Sequence, residues 1–431
     1  MSSSHYARPV FIVDGMRTPF LKAKSEQGPF SASDLAVATG RQLLTRQPFS
    51  PTEIDEVIMG CMMPSENEAN IARIIALRLG CGNSVPAWTV QRNCASGMQS
   101  LDCAAKDIAA GHADLVLAGG TETMSRAPLL FRPQMVNWFG RLNAAKSLGE
   151  KVKTSLQFRL AFLSPIIALL CGLSDPLCGM NMGETAELLA YQFNITRAEM
   201  DAFAAESQTR AFAAQEKKLR NEMTTLYDTR GKIYQNDEGV RRDTTVEKLA
   251  KLKPVFDKPY GMVTAANSSQ VTDGAAMLIL ASEEAVSKYR LPVLAKIVDT
   301  QWAALAPEVM GLGPAFSSAK ILEKNNLKLT DIDYWEINEA FAAQVLACTK
   351  ALASDQFCRE QLGLAAALGS IDVSRLNVDG GAIALGHPVG ASGARIVLHL
   401  AHVLNRNQAK RGIASLCIGG GQGGAMLIET V

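Results

Sequence analysis

Residues 91–120 read QRNCASGMQSLDCAAKDIAAGHADLVLAGG. The first part, around Cys94, is small and polar and suits a turn. A segment with helical period follows, and then a β run, ADLVLAGG, that ends in glycines. This order decides the fold because it recurs. GASG at Gly390 matches CASG at Cys94, opens a second helix-like segment, and leads to IASLCIGGG from Ile413.

A second pair of stretches agrees with the first. FSPTEIDEVIMGCMM from Phe49 is matched by LKLTDIDYWEINEAF from Leu327. Each has a Ser/Thr cap, acidic residues and Ile-Asp before an apolar strand-like run. The chain therefore reads as a duplicated α/β unit, with an N-terminal half 1–295 and a C-terminal half 296–431. Residues 126–260 or so have no counterpart in the second half. Their charged, helical pattern, as in TRAEMDAFAAESQTRAFAAQEKKL, predicts a mainly helical inserted domain.

The bulk numbers bound the function. With 431 residues, 48% of them hydrophobic, the chain can bury large cores. A net charge of +1, without zinc-finger or RNA-binding spacing, argues against nucleic acid. Nine cysteines, odd in number and never Cys-x-x-Cys, point to free thiols in a reducing compartment, hence the cytoplasm. The opening MSSSHYARPVFIVDGMRTPF lacks the layout of a secretory signal. The longest apolar run, LAFLSPIIALLCGL (160–173), is broken by Pro165 and is shorter than the roughly 18 residues of a membrane span. Two readings stand for it: a packed helical hairpin, or an interfacial segment that touches a membrane surface or a partner.

Candidate chemistry gathers at the glycine-rich turns. Cys94 precedes a helix, where the dipole is expected to lower a thiol pKa and small neighbours leave room for a carbonyl. His387, between Gly386 and Pro388, is a loop histidine suited to general base work. Cys417 ends a strand, and the N–H groups of the glycines after it can hold an oxyanion. Asn338, in NEAF, can orient a water or a carbonyl oxygen, with Glu339 as a supporting acid or helix-start residue. GGGQGG (419–424) matches G-x-G-x-x-G literally, but only a strand follows it, so it reads as a hairpin turn and not a nucleotide site. His399 and His402 are spaced for a shared metal but lack a third ligand, so a solvated helix face is expected and no metal.

Together NCASGMQS, AGGTETMS, NEAFAAQ, GGAIALGHPVGASGAR and CIGGGQGGAM resemble the signature blocks of the thiolase family, in the family's order. MGETAE and TAANSSQVTDGAA resemble its coenzyme A-side segments. The resemblance implies a five-layer αβαβα fold with two mixed sheets around buried helices. It implies an acyltransferase with no permanently bound cofactor and coenzyme A (CoA) as substrate. By position, Cys94 matches the acylated nucleophile, His387 its base, and Cys417 the acid/base at the carbon α to the thioester. Asn338 and His387 match one oxyanion site; the N–H groups of Cys94 and Gly419 match the other. Ser269 and Met182 match residues along the pantetheine arm, and Arg241 one near the nucleotide end.

The expected reaction is cleavage of 3-oxoacyl-CoA by CoA in fatty-acid β-oxidation. Condensation of two acetyl-CoA is the alternative, and a non-catalytic acyl-CoA-binding scaffold the remote one. The inserted region resembles β subunits of fatty-acid oxidation complexes, which implies a hydratase/dehydrogenase α subunit as partner class. A homodimer or tetramer is expected. Two positions depart from the patterns: Asn181 stands where many short-chain thiolases have histidine, and Asn338 where several of those β subunits do.

Overall fold

The computed structural model describes residues 6–431 except 218 and 220, so His5 lies outside the described residues. Its backbone repeats one strand order twice. In the first half the strands run Ala87–Val90, Glu56–Gly60, Leu115–Thr123, Thr272–Ala281, Val10–Arg17 across the sheet. In the second half they run Tyr334–Ile337, Arg411–Ile418, Gln422–Glu429, Ala295–Ala304. The two orders superimpose if the place of Ala87–Val90 is taken, in the second half, by a single parallel bridge between Trp335 and Leu376. Glu56–Gly60 pairs in parallel with both its neighbours, as Tyr334–Ile337 does with Arg411–Ile418. The other pairs of these two orders are antiparallel.

The two halves are not separate sheets, which corrects the sequence expectation. Val10, Phe11 and Ile12 pair with Ile297, Lys296 and Ala295, so these nine strands form one continuous sheet, to which Leu21–Lys22 adds a tenth strand beside Thr272–Ala281. The physical reason is that each half ends on an apolar edge strand. Left alone, either edge would expose unpaired N–H and C=O groups.

Helices cover and divide this sheet. Ala32–Thr45 and Ile71–Arg78 pack in an outer apolar cluster with Val57, Leu117 and Met277. Gly313–Lys324 and Ala342–Ala353 pack on the other outer face with Ile337, Ile413 and Leu427. Between them lie Ser96–Ala109 and Val389–Arg406, within a core that takes residues from both halves. The layers are therefore α, β, α, β, α.

The two inner helices touch backbone to backbone. A Cβ on Gly97 would lie 2.8 Å from both Gly390 O and Ala394 N, and one on Gly393 would lie 2.5 Å from Met98 N. Glycine is required at both places by this close approach. The contact brings together the first turns of two helices that each follow a reactive side chain, Cys94 and His387.

The inserted region is mainly helical, with Pro133–Ala144, Leu148–Ser155, Met182–Gln192 and Arg197–Glu216 as its longer helices. The run 160–173 is not the packed helical hairpin of the first reading. It forms a 3-10 turn (Leu160–Leu163), a two-residue strand (Ile166–Ile167) and a short helix (Ala168–Gly172), and none of its residues is buried. Pro165 and the lack of a covering element explain this. Among the described residues no helix is long and apolar enough to cross a membrane.

Candidate active site

Cys94 sits just before the Ser96–Ala109 helix, in a turn that Asn93 enters with φ +43°. Ser96 Oγ fixes the turn by donating to Asn93 O (2.7 Å) and accepting from Arg92 N–H. Asn93 Nδ2 donates to Gly419 O (2.8 Å), which ties this turn to the hairpin between Arg411–Ile418 and Gln422–Glu429. Gly420 and Gly421, at φ +88° and +76°, let that hairpin reverse. As a result the Gly419 N–H hydrogen-bonds to the Cys94 thiol.

The expectation for Cys94 is reversed in sign. Desolvation pushes its thiol above the ordinary range, and the Gly419 N–H offsets only part of this. The dipole argument ignored burial, which wins. Cys94 is thus a thiol that needs a base. Cys417, fully buried on the Arg411–Ile418 strand, lies near enough to feel the charge of Cys94. Burial first, then Cys94 and Cys348, push its thiol well above the usual value, so it holds its proton.

His387 is held by its loop. Its N–H donates to Gln270 O (3.0 Å), and Nδ1 lies 2.6 Å from Ser392 Oγ. Ser392 Oγ donates to Pro388 O (3.1 Å), so the serine accepts from Nδ1–H. That assignment leaves Nε2 as the basic nitrogen, and Nε2 is buried without a hydrogen-bond partner. Burial, then the Arg395 charge, push His387 down to about 4, so the ring is neutral at pH 7.

Asn338 follows the Tyr334–Ile337 strand and donates its N–H to Ser415 O (2.9 Å), two residues from Cys417. It is fully buried, and neither atom of its side-chain amide has a partner. A buried amide left with both its donor and its acceptor unused suits a water or a carbonyl oxygen. Glu339 turns away from it. It accepts from Ser207 Oγ (2.6 Å), Asn377 Nδ2 (2.9 Å) and Ile383 N (3.2 Å), and so fixes the turn that leads to His387.

Two adjoining cavities lead to His387. The inner one, about 430 Å³, is lined by His387, Met182, Ser269, Phe341 and Leu173 among others. The outer one, about 540 Å³, includes Arg241, Thr244 and Lys22. Ser268, Ser269, Gln270, Val271 and Phe256 line both, so the two form one channel from the surface to His387. Met182 links the channel to the thiols: a Cβ on Gly419 would lie 3.5 Å from its Sδ. Asn181 does not face the chemistry as a base; its Oδ1 caps the Met182–Gln192 helix. The structure thus brings Cys94, Cys417, Gly419, Met182 and His387 into one region, sets Asn338 beside Cys417, and places Ser269 mid-channel and Arg241 at its mouth.

The expectation for His399 fails. The ring is buried between Glu222 Oε1 (3.1 Å from Nδ1) and Asp379 Oδ2 (3.2 Å from Nε2). Burial opposes its charge, but the two carboxylates overrule it and raise His399 to about 9. Glu222 also meets the buried Arg17, which pairs with Asp237 (2.8 Å). The histidine is a buried structural cation and not part of a solvated face. His402 is half-buried, and burial pushes its pKa down.

Sequence reasoning missed Glu122. It accepts from Met62 N (2.9 Å), Met63 N (3.1 Å) and Gly390 N (3.1 Å), which couples the loop after Glu56–Gly60 to the first turn of the His387 helix. Burial raises it to about 7. A glutamate inside AGGTETMS, amid small and apolar residues, was the available signal.

A fold of two related halves, with two cysteines, a neutral histidine and a free amide at the end of a channel, defines an acyl-transfer enzyme of the thiolase type. The family models agree: "Thiolase, N-terminal domain" matches residues 10–284 and "Thiolase, C-terminal domain" residues 291–430. The chain belongs to the thiolase family. It is 40% identical to a β-ketoadipyl-CoA thiolase of Pseudomonas knackmussii, over 99% of this chain and 100% of that one. It is 37% identical to the mitochondrial trifunctional enzyme subunit beta of Bos taurus, over 98% of this chain and 88% of that one. The crystal structure of human mitochondrial 3-ketoacyl-CoA thiolase in complex with CoA is 38% identical, covers 100% of both chains and superimposes with a TM-score of 0.85.

Proposed function

We propose that this enzyme cleaves 3-oxoacyl-CoA with CoA, giving acetyl-CoA and an acyl-CoA two carbons shorter. The observation that carries this reading is the neutral, Nε2-basic His387 at the end of a channel whose inner end also meets Gly419, the donor to Cys94. CoA would lie in the channel, with Arg241 and Lys22 at the phosphate end and Ser269 and Met182 along the pantetheine arm. The two halves, 1–295 and 296–431, each supply part of the site.

His387 Nε2 takes the Cys94 proton, and the sulfur attacks C3 of the substrate. The oxyanion is held by the N–H groups of Cys94 and Gly419, and such donors supply roughly 3 kcal/mol each. The C2–C3 bond then breaks, and the electron pair leaves as the acetyl-CoA enolate, whose oxygen is held by Asn338 through water and by His387. Cys417 gives its proton to the enolate carbon and recovers one from the His387 imidazolium. The second CoA thiol reloads His387 and attacks the acyl carbon, and the proton returns to Cys94 as it leaves. The covalent intermediate predicts ping-pong kinetics.

Of the residues that line the inner cavity, His387 is the only one with an ionisable basic group. A dicarboxylyl chain such as β-ketoadipyl would need a cation at its far end, so an unsubstituted acyl chain fits better. Cytoplasmic residence, a homodimer or tetramer, and an α-subunit partner of the kind the Bos taurus name implies complete the reading.

The test is mass spectrometry after mixing with 3-oxohexadecanoyl-CoA, acetoacetyl-CoA or 3-oxoadipyl-CoA. An acyl adduct on Cys94 from the first, absent in Cys94→Ser, supports the reading. Turnover of 3-oxoadipyl-CoA alone, or wild-type rates from Cys94→Ser, sinks it.

A further inference from the structure

The mouth of the channel and the catalytic base are joined by a short run of contacts that the reaction proposed above does not use. Residues 237–241 carry Arg241 to the mouth. The start of this segment is pinned by the buried Arg17, which donates from Nη1 and Nη2 to the two carboxylate oxygens of Asp237 (2.8 and 3.0 Å). Phe20 N–H donates to Asp237 Oδ1 as well (2.8 Å). The end is pinned by the buried Gln208, whose Oε1 accepts from Arg241 N–H (2.8 Å). The middle, Gly239, lies against the turn before His387, where a Cβ on it would collide with Ala384 O.

Gln270 closes the path between the two ends. Its Nε2 donates to Gly239 O (3.2 Å) and to Ile383 O (3.3 Å), and its main-chain O accepts the His387 N–H (3.0 Å). Both side-chain partners are carbonyls, which only accept, so the amide can face them only with its NH₂ group. Oε1 is left buried without a partner. Gly239 O also accepts from Gln208 Nε2 (3.4 Å), so both lone pairs of that carbonyl are in use. Ile383 belongs to the one-turn helix Ala382–Leu385, which Gly386 closes by donating its N–H to Ala382 O (2.8 Å). From Arg241 to His387 the contacts are continuous, and each joins main chain to main chain or a side chain to main chain.

Binding energy from a remote part of a substrate can be used at the reacting centre, and its loss then lowers kcat and not only affinity. In the reading above, Arg241 meets the phosphate end of CoA while His387 takes the proton of the CoA thiol. A pull on Arg241 reaches Gly239 and, through Gln270, the main chain of His387. Gln270 also lines both cavities, so it stands where the arm of CoA passes.

We propose that Gln270 is a positioning residue that couples nucleotide binding at Arg241 to the placement of His387 against the incoming thiol; this rests on the CoA orientation given above. Acetyl-enzyme, formed on Cys94 from acetyl-CoA, is mixed by rapid quench with CoA or with pantetheine, the same thiol arm without the nucleotide. In the wild type the saturating rate of deacylation should be about tenfold higher with CoA, the scale of one or two hydrogen bonds. In Gln270→Met that advantage should disappear, while CoA still half-saturates at a lower concentration than pantetheine. Gln208→Met frees the same segment from its other side and should also erode the advantage, so it carries the test if circular dichroism shows Gln270→Met to be unfolded. A merely structural role for Gln270 would slow both thiols equally. That result, or equal saturating rates with both thiols in the wild type, overturns the proposal. Arg241→Gln separates this inference from the reading beneath it, since it should raise the half-saturating concentration of CoA and not that of pantetheine. If it does so and Gln270→Met keeps the advantage of CoA, the coupling alone fails. If it does not, the CoA orientation fails and the coupling falls with it.

Discussion

His387 and Ser392 are joined at 2.6 Å through Nδ1 and Oγ, and Ser392 in turn rests on Pro388 O. The loop that carries the base and the first turn of the helix after it therefore select its tautomer together. Ser392→Ala removes the acceptor and leaves Nδ1–H buried and unpaired. A hydrogen bond of this kind is worth about 1 kcal/mol, so kcat should fall about 5- to 10-fold. Pre-steady-state acylation of Cys94 should slow by the same factor while KM changes little.

The pH profile follows from two opposed burials. His387 is pushed down to about 4 and Cys94 above its usual value, so both are neutral over a wide range. Activity should stay level through neutral pH and fall as His387 gains a proton near pH 4. A profile of kcat/KM with an acid limb near 6.5 would mean that the ring is solvated in the free enzyme.

Stability should show a different histidine. His399 is raised to about 9 in the folded chain, against 6.5 unfolded. Between these values the folded state binds the extra proton, so its contribution is complete below pH 6.5 and is lost as pH rises through 9. Urea unfolding of wild type and His399→Gln should differ most at pH 6 and converge toward pH 10.

Cys417→Ala should separate the two halves of the reaction. Removing a positioned acid costs about 10²- to 10⁴-fold in its step. Exchange of the α protons of acetyl-CoA with deuterated water should drop by that much, while acylation of Cys94 drops less.

Glu122→Gln tests the link between the loop at Met62 and the helix at Gly390. Its carboxylate accepts three backbone N–H bonds, and an amide has one acceptor oxygen and turns an NH₂ toward those donors. A cost of about 1–3 kcal/mol is expected for the unmet groups, read as a lower midpoint in urea. Glu122→Ala should not be milder.

The repeated turn, helix and strand were legible from local pattern alone, because Cys94 and Gly390 open equivalent helices in the two halves. What could not be read was anything that depends on distant segments meeting. The Val10–Ile12 strand gave no sign that Ala295–Ile297 would be its partner. His399 looked solvated because its carboxylates, Glu222 and Asp379, are remote in sequence or on another segment. The thiol of Cys94 was given the wrong sign because a helix dipole can be seen in a sequence and desolvation cannot.

At the crossing of the two central helices, Gly97 and Gly393 let the main chain of one approach the main chain of the other directly. The relative placement of the segments that bear Cys94 and His387 is therefore set by main chain against main chain, whose shape no rotamer can alter. Repacking of the outer layers, by mutation or warming, should loosen the periphery well before it disturbs that alignment. A methyl group added at Gly393 should do the reverse, sparing the periphery and silencing the enzyme.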